Sequence, residues 1–142
     1  MIDKIHPSSS IENFKTANLL VIDDDDIDVT ALRRAMTKLK LLNPVYRAKD
    51  GLEGLELLRS GAIPMPYIIL LDINMPVMDG MECAKSIRKL PDIKKAKTPI
   101  VAITGNAKNY SEEDFKAAGF DDALMKPLNF DRLVEVVAHL TE

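Results

Sequence analysis

A single cysteine, Cys83, leaves the chain without an internal disulfide or a cysteine-based zinc site, and its place on a helical pattern marks it as a small packing residue. Only two histidines occur, His6 and His139, and both read as structural or solvent-facing residues. His139, near the end of the last helical stretch, suits the negative end of a helix dipole. No apolar run approaches the roughly 18 residues that span a bilayer, and the opening MIDKIHPSSS lacks the apolar centre of a signal peptide. The formal net charge is -3, and the one local basic cluster, Lys94-Lys95-Ala96-Lys97, reads as a solvated connection. Neither nucleic acid nor an anionic membrane is therefore expected as a partner, and the chain is expected to be cytoplasmic. No internal repeat is present, and the only low-complexity tract is Ser8-Ser9-Ser10.

What is present is enough apolar residue for one core. The chain has 142 residues, 46% hydrophobic and 29% charged, which fits a single domain. Residues 1–16 are polar and interrupted by Pro7, and are expected to form a flexible extension ahead of a domain over 17–142. Within that domain Tyr67-Ile68-Ile69-Leu70-Leu71 is apolar without alternation, the pattern of a strand covered on both faces, and it ends on a single acid, Asp72. Leu19-Leu20-Val21-Ile22 ends on Asp23-Asp24-Asp25-Asp26, and Pro99-Ile100-Val101-Ala102-Ile103 delivers Thr104 and Gly105. Two weaker strands, Val45–Ala48 and Ala123–Met125, complete the set, the second handing over Lys126-Pro127.

Between the strands the apolar period changes to three or four. Leu32, Ala35, Met36 and Leu39 mark one helix with Asp26 as its expected N-cap; Leu52, Leu55 and Leu58 mark a second that stops near Gly61. Cys83, Ile87 and Leu90 mark a third, Ser111 to Asp114 is a capping box opening a fourth through Phe115, and Leu133, Val136, Val137 and Leu140 line the last. Five β-α repeats with short links predict an α/β fold, a five-stranded parallel sheet with helices on both faces.

Ligands in such sheets gather at the carboxyl ends of the strands. Asp23 and Asp24, Asp72, Thr104 and Lys126 all stand there. Carboxylates sharing one cleft repel by several kcal/mol, and a hard divalent cation with oxygen ligands, magnesium, removes that repulsion. A metal, a hydroxyl, an amine and a carboxylate nucleophile together suit phosphoryl transfer, which needs alignment and charge neutralisation more than covalent chemistry.

These motifs, LLVIDDDD, LLDINMPVMDG, AITG and MKP, resemble the receiver domain of two-component response regulators, over about Asn18 to Leu140. The resemblance implies a flavodoxin-like sheet in the order 2-1-3-4-5 and a cis peptide before Pro127. It implies Asp72 as the phosphoacceptor, and Asp24, Asp72 and the Asn74 carbonyl as magnesium ligands, with Asp23 acting through water. By the same resemblance Thr104 is the switch hydroxyl and Lys126 the amine that pairs with the phosphoryl group. The donor would be a histidine kinase or a histidine phosphotransfer protein, the output a contact with another protein or a relay onward, and the chain would promote its own phosphorylation and dephosphorylation rather than act as a conventional enzyme. No effector domain is expected after the last helix. The family commonly has Tyr or Phe three residues before the lysine; this sequence has Ala123, so the signal is expected to pass through the loop after Thr104 and the helix of Phe115. Asn74 and Asn106 occupy the positions that influence phosphoryl lifetime in the family, and both are uncharged.

A scaffold that uses the same fold without phosphorylation is the competing class, against which stands the full set of metal and phosphoryl groups. Asp26 to Thr30 reads DxDxT, similar to the nucleophile motif of haloacid-dehalogenase-type phosphatases, but there the first Asp directly ends its strand. Asp24, Asp26 and Asp28 do not make an EF-hand, since Val29 and Ala35 stand where Gly and Glu are needed.

Overall fold

A computed structural model describes residues 18–64, 67–75, 77–105 and 110–140; the expected extension over 1–16, Pro76 and Asn106 lie outside the described residues. Strands β1 (Asn18–Ile22), β2 (Val45–Ala48), β3 (Tyr67–Asp72), β4 (Ile100–Thr104) and β5 (Asp122–Met125) form one sheet ordered β2-β1-β3-β4-β5, with every pair parallel. The helices are α1 (Asp26–Lys38), α2 (Gly51–Ser60), α3 (Gly80–Arg88), α4 (Ile93–Ala96), α5 (Glu112–Ala118) and α6 (Phe130–Leu140). The predicted doubly wound α/β fold and strand order are those observed.

The strands are apolar without alternation because each face packs under helices. Leu19 and Val21 of β1, with Ile68, Leu70, Val101 and Ile103, meet Leu32 and Met36 of α1 and Leu133 and Val137 of α6. Leu20 and Ile22, with Ile69, Leu71, Ile100 and Ala102, meet Leu55 and Leu58 of α2, Ile87 of α3 and Phe115 of α5. Each fully buried Leu or Ile in these layers contributes about 1.5–3 kcal/mol relative to exposure. Rigid strand ends are the functional consequence.

Several local expectations shift. The buried stripe of α1 is Val29, Leu32 and Met36, while Leu39 caps the helix and is exposed. Leu52 is exposed, and α2 buries Gly51 and Gly54 beside Leu55 and Leu58. The N-cap of α1 is Asp25 rather than Asp26: Asp23 Oδ1 accepts the Asp25 N–H at 2.8 Å, so the chain turns one residue sooner and Asp25 Oδ1 takes the Ile27 N–H at 2.8 Å. The lysine-rich connection contains the one-turn helix α4, because the Asp92 carboxylate accepts the N–H groups of Lys94 and Lys95. The capping box of α5 forms as expected between Ser111 and Asp114, and Lys126-Pro127 is cis.

One cation ties the far end of the sheet together. Arg88 donates to the carbonyls of Ala96, Thr98 and Gly119 at 2.6–2.9 Å and to Asp121 Oδ2 at 2.9 Å, joining α3 to the segments that precede β4 and β5. Asp121 Oδ2 also accepts the Ile100 N–H at 2.8 Å.

Candidate phosphoacceptor site

The site begins with the ends of β1 and β3, which are hydrogen-bonded neighbours with Ile22 opposite Leu71. That register sets Asp23 beside Asp72, and both are buried, at 4% and 3% exposure. Oxygens of Asp23, Asp24 and Asp72 lie within 4.8 Å of one another. At this separation the two buried carboxylates repel by about 3 kcal/mol at an effective dielectric near 20.

Each acid is held by its own turn. Asp23 Oδ1 accepts the Asp25 N–H, and Asp72 Oδ1 accepts the Asn74 N–H at 3.1 Å, leaving the second oxygen of each toward the cleft and the amine. Lys126, delivered by β5, has its Nζ 3.4 Å from Asp72 Oδ2 and 3.8 Å from Asp23 Oδ2. The Lys126 N–H also donates to the Thr104 carbonyl at 2.8 Å, so the hydroxyl-bearing and amine-bearing strand ends are locked together.

Gly80 brings the start of α3 against this loop. Its N–H donates to the Ile73 carbonyl at 3.0 Å, and a methyl at its Cα would sit 2.6 Å from the Asp72 carbonyl oxygen. Only a residue without Cβ fits so close to the backbone that carries the acid.

Burial pushes the Asp23 carboxyl up to about 7, against the hydrogen bond from Asp25 that pulls it down, and Asp72 adds to the rise. Asp72 is likewise raised by burial, with the Asn74 N–H and Lys126 opposing. Burial alone would lower the Lys126 amine, but the Asp28 hydrogen bond and the charges of Asp23 and Asp72 raise it, so it stays cationic. Two acids are thus held in a state that favours a proton or a cation over bare charge. An all-oxygen donor set of this kind fits a hard divalent ion.

A cleft of about 570 Å3 opens over these groups, lined by Asp24, Asp72, Asn74, Gly105 and Lys126. Of the predicted residues, Asp23, Asp24, Asp72 and Lys126 come together, and Asn74 borders the same cleft. Thr104 is buried at the same sheet edge but lines an adjacent cavity of about 350 Å3 with Ala123, Tyr110 and Phe115. Asp26, the first Asp of the DxDxT pattern, is not at a strand end: it begins α1 and pairs with Arg47 at 2.8 Å, with its side chain 85% exposed.

The sequence reading missed two residues. Asp28 Oδ2 lies 2.6 Å from Lys126 Nζ, and Arg47 Nε donates to the Asp23 carbonyl at 2.9 Å while its Nη1 holds Asp26. Asp28 lies in the first turn of α1, which follows the N-cap Asp25, so the helix start carries its carboxylate to the edge where Asp23 and Asp24 end β1. Arg47 left only the trace of a charge inside a short strand.

The response regulator receiver domain family model matches residues 19–138. The chain belongs to this family. It is a receiver domain of two-component phosphorelay signalling. Among relatives, it is 33% identical to hybrid signal transduction histidine kinase G of Dictyostelium discoideum over 95% of this chain and 4% of that protein. It is 31% identical to a two-component response regulator of Oryza sativa subsp. japonica over 87% of this chain and 94% of that protein. Against the first of these and the two-component system protein A of Emericella nidulans, the receiver spans only 4% and 17% of the relative's length. A solved receiver domain of a Pseudomonas aeruginosa sensor histidine kinase, with a magnesium ion coordinated in its active site cleft, superposes with TM-score 0.73 at 25% identity, covering 88% of this chain and 97% of that one. Receiver domains take phosphoryl groups from histidine kinases or phosphotransfer proteins. Among the described residues no helix is long and apolar enough to cross a membrane.

Proposed function

We propose that Asp72 is the phosphoacceptor of this receiver, with magnesium held by Asp24, Asp72 and the Asn74 carbonyl and with Asp23 acting through water. The observation that carries the reading is the convergence of Asp23, Asp24 and Asp72 within 4.8 Å, faced by Lys126. When bound, the metal supplies charge neutralisation at the carboxylates and at the equatorial phosphoryl oxygens. A free oxygen of the ionised Asp72 attacks phosphorus, a P–O bond forms, the P–N bond to a phosphohistidine breaks, and the imidazole leaves with the electron pair. The Asn74 N–H keeps Asp72 Oδ1 pointed, so the other oxygen is the one presented. Lys126 then pairs with the phosphoryl oxygens, and Thr104 is the switch hydroxyl. The donor is a histidine kinase or histidine phosphotransfer protein, the site of action is the cytoplasm, and residues 1–16 are an extension to a receiver over 17–142.

With alanine at 123, output runs through α5, whose Phe115 ring meets Tyr110 at 5.8 Å and Phe120 at 5.6 Å. Amide exchange of α5 with and without a phosphoryl mimic tests this route, which an unchanged α5 removes. The central test is incubation with acetyl phosphate and magnesium followed by intact mass. A phosphorylated species is expected in the wild type and none in Asp72→Asn; no phosphorylated wild type would return the chain to the class of phosphorylation-independent scaffolds.

A further inference from the structure

Lys126 faces three carboxylates, and it is closest to the one outside the acidic cluster of Asp23, Asp24 and Asp72. Its Nζ lies 2.6 Å from Asp28 Oδ2, against 3.4 Å to Asp72 and 3.8 Å to Asp23. The first is a short charge-assisted hydrogen bond, whereas the others are at or beyond the edge of hydrogen-bond range. We infer that Asp28 is a positioning residue, a latch that holds the Lys126 amine off Asp72 until a phosphoryl group competes for it. This rests on the reading of Asp72 as the phosphoacceptor.

An acid in the first turn of α1 has an ordinary use, offsetting the helix dipole. That use does not require contact with a lysine 98 residues away. Asp28 is also the best solvated of the three partners, its side chain 35% exposed against 6% for Asp23 and 3% for Asp72, so the amine is drawn outward toward water. A phosphoryl group on Asp72 replaces the single carboxylate charge by nearly two and brings three acceptor oxygens. To meet them Lys126 gives up Asp28, and the strength of that pair sets how readily the phosphoryl form is populated. The acidic group among the described residues that could hold a metal ion is Asp23, Asp24 and Asp72, so a change at Asp28 leaves those oxygens in place.

The test uses the full chain at saturating magnesium and titrates beryllofluoride, a phosphoryl mimic, following the Gly105 amide by NMR in wild type, Asp28→Asn, Asp28→Glu and Asp72→Asn. Asp28→Asn is expected to bind the mimic about fivefold more tightly, the scale of one partly exposed ion pair, and Asp28→Glu to return toward the wild type. A role confined to the helix dipole moves the melting temperature and leaves the affinity alone. If wild type binds the mimic and Asp28→Asn binds it equally or more weakly, the latch is overturned and the phosphoacceptor reading stands. If wild type does not bind it, both fall.

Discussion

Asp23→Asn should make the metal-free protein more stable. Asp23 is 4% exposed and its carboxyl is raised from 3.8 to about 7, first by burial and then by Asp72. A rise of that size corresponds to about 4 kcal/mol against the charged form above pH 7. Asparagine removes the charge and keeps an Oδ1 acceptor for the Asp25 N–H, but its amide must find room beside Lys126, which returns a part. The net expectation is about 2–4 kcal/mol of added stability at pH 8 in EDTA, measured by urea denaturation with circular dichroism. The pH window follows from the direction of the shift. The folded carboxyl holds a proton that the unfolded one has lost, so its contribution is favourable below about pH 4, falls as pH rises, and is fully lost above about pH 7. The difference between variant and wild type should therefore grow between pH 4 and 7 and level off above it. Magnesium at ten times its dissociation constant should return about 1.4 kcal/mol to the wild type by mass action. A variant less stable than wild type at pH 8 in EDTA, or a difference that does not change with pH, refutes the account of the acids as a strained pair relieved by a cation.

Further outcomes follow from the packing. Arg88→Ala strands three carbonyls and Asp121, and should cost about 2–4 kcal/mol in urea titrations while leaving Asp72 in place. Gly80→Ala forces a methyl into the Asp72 carbonyl, and should slow phosphorylation by acetyl phosphate as well as lower the melting temperature. Leu71→Ala empties a fully buried position next to Asp72 and should cost about 2–5 kcal/mol by denaturation. Cys83, buried and with its thiol pushed up to about 12 by burial, should resist thiol reagents at neutral pH and react at full rate in denaturant.

Much of this was legible in the amino-acid order. Apolar runs ending in Asp23, Asp72 and Thr104 announced a parallel sheet with chemistry on one edge, because a strand buried on both faces leaves no other place for a carboxylate. The helix ends were less legible. Asp25 took the cap expected of Asp26, and Asp92 folded a lysine-rich connection into a helical turn, since consecutive acids are equivalent in sequence and differ only in where the chain bends.

The sequence alone determined the alternation of strand and helix, the single core, and the residue types offered at each strand end, for these depend on local period and hydrophobicity. Only the tertiary structure decided which groups touch. The β1–β3 register brings Asp23 to Asp72, and the β4–β5 pairing sets Lys126 at the edge where it meets Asp28, a contact spanning 98 residues. Local pattern holds no information on such distances. They are fixed by how two packed layers of helices set the strands against one another.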